Sequence, residues 1–470
     1  MTIPDHWPTE FVHRMTAWLG DESAAFFAAL ARRDVGLRLN PRRGDLDALA
    51  ARVPWPTAPI SWCPEGLWVQ DADAEVGNRL EHITGVYYVQ DPSAMAAGAL
   101  LDPQPGEWVL DVAAAPGGKA SHLAARMRGE GVLVANDVSR RRASVLAMNL
   151  ERMGVTNALV TNEYPDRLAD AWGAIFDAVL VDAPCSGEGT FSRDSQAIHD
   201  WNLDVVAGNA RRQVAILAQA AALVRPGGRV LYGTCTFAPE ENEGVIAAFL
   251  AEHPDFEIAP LPEVPGMGPG RPEWLAAPEA LRACGRFWPH TGPGHGHFYA
   301  LLRRRGDPPP DLPARWTEAD VPGRVLNLYR KSVGESLAMA LPEAGLVLNR
   351  HDDLYITPLA PALWERLRVL RPGWWVASLR HNKVAPDHAL AMALRPEDAA
   401  SVCDLARDDP RIVKYARGNH WQDSGKEGFV LITVGGFPLG WGKRGGGRLR
   451  SRYPVHLRQS FNAAAVVAAY

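Results

Sequence analysis

The sequence predicts an α/β protein built on a doubly wound, parallel, Rossmann-like sheet, with a small N-terminal α+β domain and a β-rich C-terminal module. Three observations indicate this class. Strand-like and helical runs alternate from about residue 107 to residue 305. Residues 1–90 mix both patterns on a smaller scale, and residues 314–470 hold several strand-like runs, such as the one at 428–443.

The N-terminal unit begins with a helical run. DESAAFFAALAR (21–32) predicts a helix with Asp21 or Ser23 as its cap. VGLRLNPRRGDLDALAARV (35–53) then predicts a strand, a turn and a second helix. These patterns are typical of a compact α+β unit.

The central region predicts five strands that alternate with helices. The strands are EWVLDVA (107–113), GVLVAND (131–137), ALVTN (158–162), FDAVLVDAP (176–184) and GGRVLYGTC (227–235). The helices are GGKASHLAARM (117–127), SRRRASVLAMNLERMG (139–154), a long run over 205–224, and EENEGVIAAFLAEH (240–253). GHFYALLRRR (296–305) supplies a late strand. Alternation of this kind implies a parallel sheet with right-handed crossovers.

Two connections stand out beyond the fifth strand. Residues 259–296 are rich in Gly, Pro and Trp, and their aromatic and histidine content favours an ordered cover over a site. GDPPPDLP (306–313) is typical of a linker. We expect residues 314–470 to form one or two small β-rich modules.

Composition narrows the class of protein. The 470 residues are 47% hydrophobic and 22% charged, as in soluble globular proteins. There is no apolar run of membrane-spanning length and no signal-peptide pattern at the start. The five cysteines are scattered without a C-x-x-C pair, which indicates neither a zinc site nor a disulfide framework. We therefore expect a cytoplasmic protein with reduced thiols and no bound metal.

The charge is unevenly distributed. The formal net charge is −5, which argues against a uniformly basic nucleic-acid binder. Residues 411–470 nevertheless hold ten Lys or Arg against two Asp or Glu, a balance of +8. Either a phosphate-binding patch or a solvated basic tail would have this composition.

The first strand of the central region runs into DVAAAPGGKASHL (111–123). Small residues in this turn let a ligand approach the backbone, and the following helix offers its N-terminus. The pattern is neither G-x-G-x-x-G nor a Walker loop, which disfavours a dinucleotide or a nucleoside triphosphate. Asp137 ends the second strand 20 residues after Gly117, the spacing at which an acid reaches a ribose hydroxyl.

Two cysteines follow neighbouring strands. Cys185 lies three residues after Asp182, and Cys235 ends the fifth strand. Parallel strands end at the same edge of a sheet, so we expect two thiols and a carboxylate to converge there. A thiolate added to C6 of a pyrimidine makes C5 able to attack a methylsulfonium, and a carboxyl group at N3 or N4 stabilises the developing charge. The residues alone do not say which thiol attacks.

Four stretches resemble the bacterial branch of the NOL1/NOP2/Sun RNA cytosine-5 methyltransferases. They are AAAPGGK (113–119), AND (135–137), DAPCSGEG (182–189) and TCTFAPEENE (234–243). YYVQDPSAM (87–95) and the RFWPH…GHGHFYA segment also look like that family, and VGGFPLGWGKRGGGRLRSRYPVHLR (434–458) looks like the PUA-like end of its RsmF-type ribosomal RNA members.

The resemblance implies a domain plan. It comprises an RRM- or ferredoxin-like RNA-binding region at 1–90 and a seven-stranded S-adenosylmethionine-dependent methyltransferase domain at 91–305. A first C-terminal domain follows at 306–372, and a PUA-like basic RNA-binding domain at 373–470. The implied partner is 16S ribosomal RNA or the small ribosomal subunit, bound by a monomer with no membrane association.

The resemblance also implies roles for individual residues. S-adenosylmethionine would bind the turn after the first strand, with Asp137 on its ribose. Asp182 would lie near both the methionine part of the cofactor and the cytosine. The residues of the turn are Ala113, Ala114, Ala115, Pro116, Gly117, Gly118 and Lys119. Cys235 would attack C6, Cys185 would assist release of the methylated product, and Lys119 would lie close to the reacting groups.

One departure from the family concerns adenine. Many members place an acid after the third strand to bind the adenine amino group, whereas the aligned residue here is Tyr164, with Asn162, Glu163 and Asp166 nearby. We assign the adenine contact to none of them.

Two other functions stay open. A DNA cytosine-5 methyltransferase would use Cys185 as the nucleophile, and a catalytically silent RNA-binding assembly factor would use neither thiol. An amino methyltransferase would need an Asn/Asp-Pro-Pro-aromatic turn in place of DAPC, and that turn is absent.

Overall fold

A computed structural model describes residue 4 and residues 6–71, 73–307 and 316–458. Most of the predicted linker at 306–313, and residues 459–470 of the basic C-terminal segment, lie outside the described residues. No helix within the described ranges is both long and apolar enough to cross a membrane.

The N-terminal unit packs helices on a four-stranded antiparallel sheet of order β2-β3-β1-β4. Its elements are α1 (Thr9–Leu19), α2 (Ser23–Leu30), β1 (Val35–Leu39), α3 (Leu46–Ala50), β2 (Thr57–Ile60), β3 (Cys63–Val69), α4 (Leu80–Ile83) and β4 (Tyr87–Val89). The predicted helix within 21–32 is confirmed, but its predicted cap is wrong. A short 3₁₀ turn over 20–22 leads directly into α2, so neither Asp21 nor Ser23 caps it with a side-chain hydrogen bond.

The central region contains the five predicted strands, the late strand and the four predicted helices, together with further helices and strands. Its helices are α5 (Ala96–Leu101), α6 (Gly118–Arg126), α7 (Arg140–Arg152), α8 (Pro165–Trp172), α9 (Ser195–Asp200), α10 (Leu203–Ala221) and α11 (Glu243–Glu252). Its strands are β5 (Trp108–Asp111), β6 (Val132–Asn136), β7 (Ala158–Thr161), β8 (Phe176–Asp182), β9 (Val224–Thr234), β10 (Phe256–Ala259), β11 (Met267–Pro269), β12 (Gly285–Phe287) and β13 (His297–Arg304).

The central sheet is larger and less uniform than a purely parallel one. Strands β7, β6, β5, β8 and β9 pair in parallel in that order, and β13 joins β9 antiparallel, with β10 paired to β13. These seven strands form the predicted methyltransferase sheet. The cover segment adds β12 and β11 beyond β13, and β16 (Val369–Arg371) adds to β7, so the sheet has ten strands.

Burial explains why these runs become inner strands. The side chains of β5, β6 and β7 are buried on both faces, as expected for strands covered by helices on each side. One apolar cluster around Phe176, Leu217 and Phe249 fills one face, and another around Leu123, Leu146 and Leu180 fills the other. The carboxyl ends of β5, β6, β8 and β9 are thereby held at one rigid edge.

Two further sheets make up the C-terminal part. The first has the order β14-β15-β17-β18 and the second β19-β21-β22-β23-β20. Their elements are α12 (Gly323–Ser332), β14 (Leu346–Leu348), β15 (Asp353–Ile356), β17 (Trp374–Arg380), β18 (Lys383–Pro386), α13 (His388–Ala393), β19 (Val402–Leu405), α14 (Arg411–Ala416), β20 (His420–Gln422), β21 (Gly428–Val434), β22 (Phe437–Gly445), β23 (Arg448–Ser451) and α15 (Val455–Arg458). The boundary predicted between residues 372 and 373 falls inside the first of these sheets.

Candidate active site

Two cysteines meet at the carboxyl edge of the central sheet. Asp182 ends β8 opposite Gly233 of β9, and Cys235 follows β9 directly. The Sγ atoms of Cys185 and Cys235 lie 3.4 Å apart. The structure therefore brings together the two thiols and the carboxylate that the sequence placed at neighbouring strand ends.

The two thiols are electrostatically different. The pKa of Cys235 lies below its usual value because its sulfur accepts a hydrogen bond from Cys185, and because Lys119 and Arg193 offset burial and the charge of Asp182. The same hydrogen bond, together with burial, holds the pKa of Cys185 well above its usual value. Cys185 is thus the thiol donor, and Cys235 is the sulfur that ionises first.

Hydrogen bonds brace the two cysteine turns against each other. The Gly189 amide donates to the Cys235 carbonyl at 2.8 Å, and the Ser186 and Thr236 hydroxyls lie 2.8 Å apart. Glu188 accepts from the Phe237 amide at 2.8 Å. A side chain at position 189 would bring its Cβ to within 2.8 Å of the Cys235 carbonyl, so glycine is needed for this close approach.

A buried acid, Glu241, holds the turn that carries Cys185 through hydrogen bonds. Its Oε2 accepts from the Ser186 amide at 3.0 Å and from Gln213 Nε2 at 2.8 Å, and the same Gln213 amide donates to the Pro184 carbonyl. Burial raises the pKa of Glu241 to about 7. Sequence reasoning assigned no role to this residue, although it lies in the quoted TCTFAPEENE stretch.

Lys119, in the turn predicted to hold the cofactor, contacts Asp182 beside the cysteine turns. Its Nζ lies 2.7 Å from Asp182 Oδ2, and this carboxylate, against the effect of burial, raises the pKa of the lysine. Near the pair, Asp111 is fully buried; the Ala113 backbone lies close enough to stabilise its carboxylate, but neither oxygen forms a hydrogen bond of full geometry among the described residues. Burial and the charge of Asp182 raise the pKa of Asp111 to about 8. Sequence reasoning missed Asp111 because it continues an apolar strand.

The turn predicted to hold the cofactor, residues 113–119, joins β5 to α6. Three hydrogen bonds fix its backbone. The Ala114 amide donates to the Asn136 carbonyl at 2.7 Å, and the side chains of Arg142 and Asn149 donate to the carbonyls of Ala115 and Pro116. Gly117 has a φ of 113°, which favours glycine. The turn is therefore shaped before any ligand arrives.

Asp137 follows β6 beside this turn. Its Oδ1 accepts from the Ser139 amide at 2.8 Å. Its buried Oδ2 accepts no hydrogen bond among the described residues and lies 3.5 Å from Nη1 of Arg142, whose side chain is largely exposed. A buried carboxylate oxygen of this kind needs a donor. A ribose hydroxyl is such a donor, so the residues present fit a bound nucleoside.

The residues around the expected adenine position have different partners. Asn162 Nδ2 donates to the carbonyls of Asp137 and Val138, and Glu163 accepts from both the amide and the guanidinium of Arg368, each at 2.8 Å. The Tyr164 residue is 60% exposed. The acid that follows the third strand is thus held by a residue of the C-terminal part.

The predicted cover is structured and reaches the site. It carries β11 and β12, and its last residues lead into β13 beside the cysteine turns. His295 Nδ1 lies 2.5 Å from Asp91 Oδ2, and the carbonyls of His295 and Gly296 approach Gly189. Sequence reasoning gave none of these cover residues a role.

A second cluster lies away from this edge. The ligand-type atoms of Cys63, Glu65 and His122 all lie within 4.8 Å of one another, and His122 Nε2 is 2.9 Å from Glu65. The cysteine spacing gave no sign of it, because two of the three groups are not cysteines. The buried Arg38 guanidinium contributes to lowering the pKa of His122 to about 4, after burial itself. This positive neighbour makes the cluster unfavourable for a further cation.

Basic side chains line one face of the last sheet. His420, Arg450 and Lys443 are paired across β20, β23 and β22, and all three are exposed. Arg448 lies two residues from Arg450 on the same face and is also exposed. Among the described residues, neither arginine takes part in an ion pair.

Four family models match the chain in order. Residues 7–92 match the N-terminal domain of 16S rRNA methyltransferase RsmF, and residues 98–303 match 16S rRNA methyltransferase RsmB/F. Residues 333–394 match the first C-terminal domain of RsmF rRNA methyltransferase, and residues 403–459 match the methyltransferase RsmF PUA domain.

Individual relatives cover nearly the whole chain. The chain is 31% identical to the ribosomal RNA small subunit methyltransferase F of Vibrio vulnificus strain YJ016 over 91% of each chain. It is 30% identical to the protein of that name from Citrobacter koseri over 97% of this chain and 96% of that one. Among solved structures, a methyltransferase homolog protein from Pyrococcus horikoshii is 29% identical, covers 63% of this chain and 95% of its own, and superposes with a TM-score of 0.57.

Proposed function

Because the chain belongs to the RsmF-type 16S rRNA methyltransferases of the NOL1/NOP2/Sun family, we propose that it methylates C5 of cytosine in 16S ribosomal RNA. The methyl donor is S-adenosylmethionine, and the reaction passes through a covalent bond between Cys235 and C6 of the base. The Cys185–Cys235 pair beside Lys119 and Asp182 is the observation that carries this proposal.

Cys235 is the nucleophile in this proposal. Its lowered pKa supplies the thiolate that adds to C6, and the added electron pair makes C5 nucleophilic. Asp182, oriented by Lys119, lies at the N3 and N4 side of the ring, where a carboxyl group stabilises the charge that develops during addition. The base must leave its stack to reach this edge.

Cys185 serves the release step. After C5 has been methylated, a base takes the C5 proton, and the electron pair of that C–H bond restores the C5–C6 double bond as the C6–sulfur bond breaks and Cys235 leaves as a thiolate. The Cys185 sulfur lies 3.4 Å from the Cys235 sulfur, and the raised pKa of Cys185 keeps this group a thiol that can donate a hydrogen bond. It can therefore stabilise the departing thiolate.

The residues of the 113–119 turn would hold S-adenosylmethionine, with Asp137 on the ribose. The Asp137 oxygen that accepts no hydrogen bond among the described residues, and the fixed turn, support this placement. When bound, this cofactor supplies an electrophilic methyl group.

RNA would be held partly by the basic face of the last sheet. Structured RNA is recognised largely through its shape and phosphates, which suits exposed arginine and lysine side chains on a rigid sheet. The match of residues 403–459 to a PUA domain supports the same assignment.

Adduct trapping tests the assignment of the thiols. The purified chain would be incubated with S-adenosylmethionine and 16S rRNA from a strain that lacks the protein, and methylated cytosines would be located by bisulfite sequencing. We expect Cys235→Ala to abolish methylation and Cys185→Ala to leave a protein–RNA adduct that survives a denaturing gel. Cys403→Ala, on β19 of the C-terminal part, is the matched control.

The outcomes separate the alternatives. Methylation by Cys235→Ala, or an adduct that requires Cys185, would point to Cys185 as the nucleophile. Methylation of DNA in place of RNA would identify a DNA methyltransferase. A wild-type chain that fails to bind S-adenosylmethionine in a calorimetric titration would favour a non-catalytic assembly factor.

A further inference from the structure

His297 occupies the next strand end beyond Cys235. It is the first residue of β13 and lies one position beyond the Phe298–Thr234 pair that ends the antiparallel ladder with β9, just as Cys235 lies one position beyond Thr234. Its ring stacks on Tyr299 at 5.6 Å with an interplanar angle of 12°. The ring is therefore held in a fixed plane at the edge that carries the candidate active site.

A chain of hydrogen bonds fixes the tautomer of this histidine. The Ser93 hydroxyl donates to Asp91 Oδ1, and His297 Nδ1 lies 2.8 Å from the same hydroxyl oxygen. Although burial opposes ionisation, hydrogen bonding to His295 holds the pKa of Asp91 below its usual range, so this carboxylate only accepts. Because the hydroxyl proton points to Asp91, His297 Nδ1 must carry the proton donated to Ser93.

The other ring nitrogen is left as a free acceptor. His297 Nε2 makes no hydrogen bond among the described residues, and it is not among their fully buried unpartnered atoms. Burial and the charge of Lys119 lower the pKa of His297 to about 4, although Asp91 and Asp182 act in the opposite direction. The imidazole is thus neutral near pH 7, carries a free lone pair on Nε2, and lies close enough to Lys119 and Asp182 for their charges to act on it.

The order of these residues along the sheet edge indicates which part of the nucleotide lies nearest to His297. Asp182 ends β8, Cys235 follows β9 and His297 begins β13, and these three strands are consecutive in the sheet, about 5 Å apart. In the cytosine ring, N3 and N4 lie on one side and C6 on the other. With Asp182 at N3 and N4 and Cys235 at C6, the next group beyond C6 is N1 with its ribose.

Within the target nucleotide, one donor is left at that end. The O3′ and O5′ atoms are esterified, and the only donor on the cytosine base, the N4 amino group, lies on the Asp182 side. The 2′-hydroxyl is therefore the group that can donate to a neutral imidazole there, and it also distinguishes RNA from DNA. We propose that His297 accepts a hydrogen bond from the 2′-hydroxyl of the target cytidine and thereby selects RNA over DNA. This inference rests on the proposed function.

A substrate with one altered sugar tests the inference. After the target has been located, single-turnover methylation would be compared for RNA carrying cytidine, 2′-deoxycytidine or 2′-fluoro-2′-deoxycytidine at that position. For the wild-type chain we expect both altered sugars to react about tenfold more slowly, the effect of one lost hydrogen bond of about 1.4 kcal/mol. The fluoro sugar retains the RNA-like pucker, so it isolates the loss of the donor.

Variants of His297 test whether the preference for the 2′-hydroxyl depends on this side chain. In His297→Ala the cytidine and 2′-deoxycytidine substrates should react at rates within about twofold of each other, because the acceptor is missing. His297→Gln, whose side-chain oxygen can accept, should restore part of the difference, and His351→Ala, at an exposed turn, should retain all of it. The comparison is made within each variant, so a general loss of activity cancels.

Two results would overturn the inference. One is a wild-type chain that is indifferent to both altered sugars, and the other is a His297→Ala chain with the full wild-type preference. Failure of the proposed function itself looks different, because the cytidine substrate would then not be methylated at C5 by the wild-type chain at all.

Discussion

The Sγ atoms of Cys185 and Cys235 lie 3.4 Å apart, within hydrogen-bonding distance, so the two thiols titrate as one acid–base unit. A lowered pKa on Cys235 and a raised pKa on Cys185 are two consequences of the same contact. The thiol assigned to release is therefore also a positioning residue for the thiol assigned to attack.

Removal of Cys185 should make Cys235 harder to ionise. In Cys185→Ala the Cys235 thiolate loses its hydrogen-bond donor, so the pH profile of its alkylation by iodoacetamide should move to higher pH than in the wild-type chain. Mass spectrometry of the Cys235 peptide gives the rates. Cys403→Ala should leave the profile unchanged, and an unchanged profile in Cys185→Ala would contradict the contact.

Asp111 should make the fold less stable as pH rises. Its carboxyl is protonated in the folded chain up to a pKa of about 8 but ionises near 3.8 when exposed. Between these values the folded state binds one more proton, so stability falls with pH by about 1.4 kcal/mol per unit. Asp111→Asn removes this dependence, and its melting temperature should exceed that of the wild-type chain by a margin that grows across this range. Asp170→Asn, on the exposed side of α8, should show no such trend.

Arg368 should support cofactor binding from the C-terminal part. In Arg368→Met the buried Glu163 carboxylate loses its guanidinium partner at the point where Asn162 holds the Asp137 segment. We expect the dissociation constant for S-adenosylmethionine to rise about threefold to tenfold in a calorimetric titration. Arg366→Met, an exposed neighbour, serves as the control, and equal affinities for the two variants would refute the coupling.

The basic face of β20, β22 and β23 should set the salt dependence of RNA binding. Replacing both Arg448 and Arg450 by Gln removes two exposed charges that we propose contact RNA phosphates. The slope of log affinity against log salt concentration should become shallower by about 1.5. Filter binding at several salt concentrations measures it. Arg303→Gln, on β13 of the central sheet, should keep the wild-type slope, and affinity for S-adenosylmethionine should not change in either variant.

The central sheet was predictable because its strands are short, apolar and regularly spaced. The same regularity placed Asp182 and Cys235 at adjacent strand ends, so their convergence followed from sequence. Asp111 and Glu241 could not be predicted as parts of the site, because they break no pattern in the sequence. Each is a charged residue inside a buried stretch, and only the three-dimensional packing shows that its carboxylate has an incomplete set of partners.

Contacts between distant segments were not predictable either. Glu163 and Arg368 are 205 residues apart, and no periodicity links them. The Asp91, Ser93 and His297 chain likewise joins two segments separated by 204 residues. Local patterns also misled at α2, where a 3₁₀ turn took the place of the expected cap. Patterns in the sequence report the spacing of residues along the chain, whereas these contacts depend on how distant segments pack together in space.

The tenth strand of the central sheet has a consequence for synthesis. Since β16 covers the outer edge of β7, a nascent chain that ends before residue 369 exposes a row of unpaired backbone groups at Ala158–Thr161. The ribosome must therefore translate roughly three quarters of the protein before this edge is closed. A fragment that ends after β13 would contain Cys185, Cys235 and the 113–119 turn. Its unpaired β7 edge would be free to pair with the same edge of another copy, so we expect the fragment to self-associate.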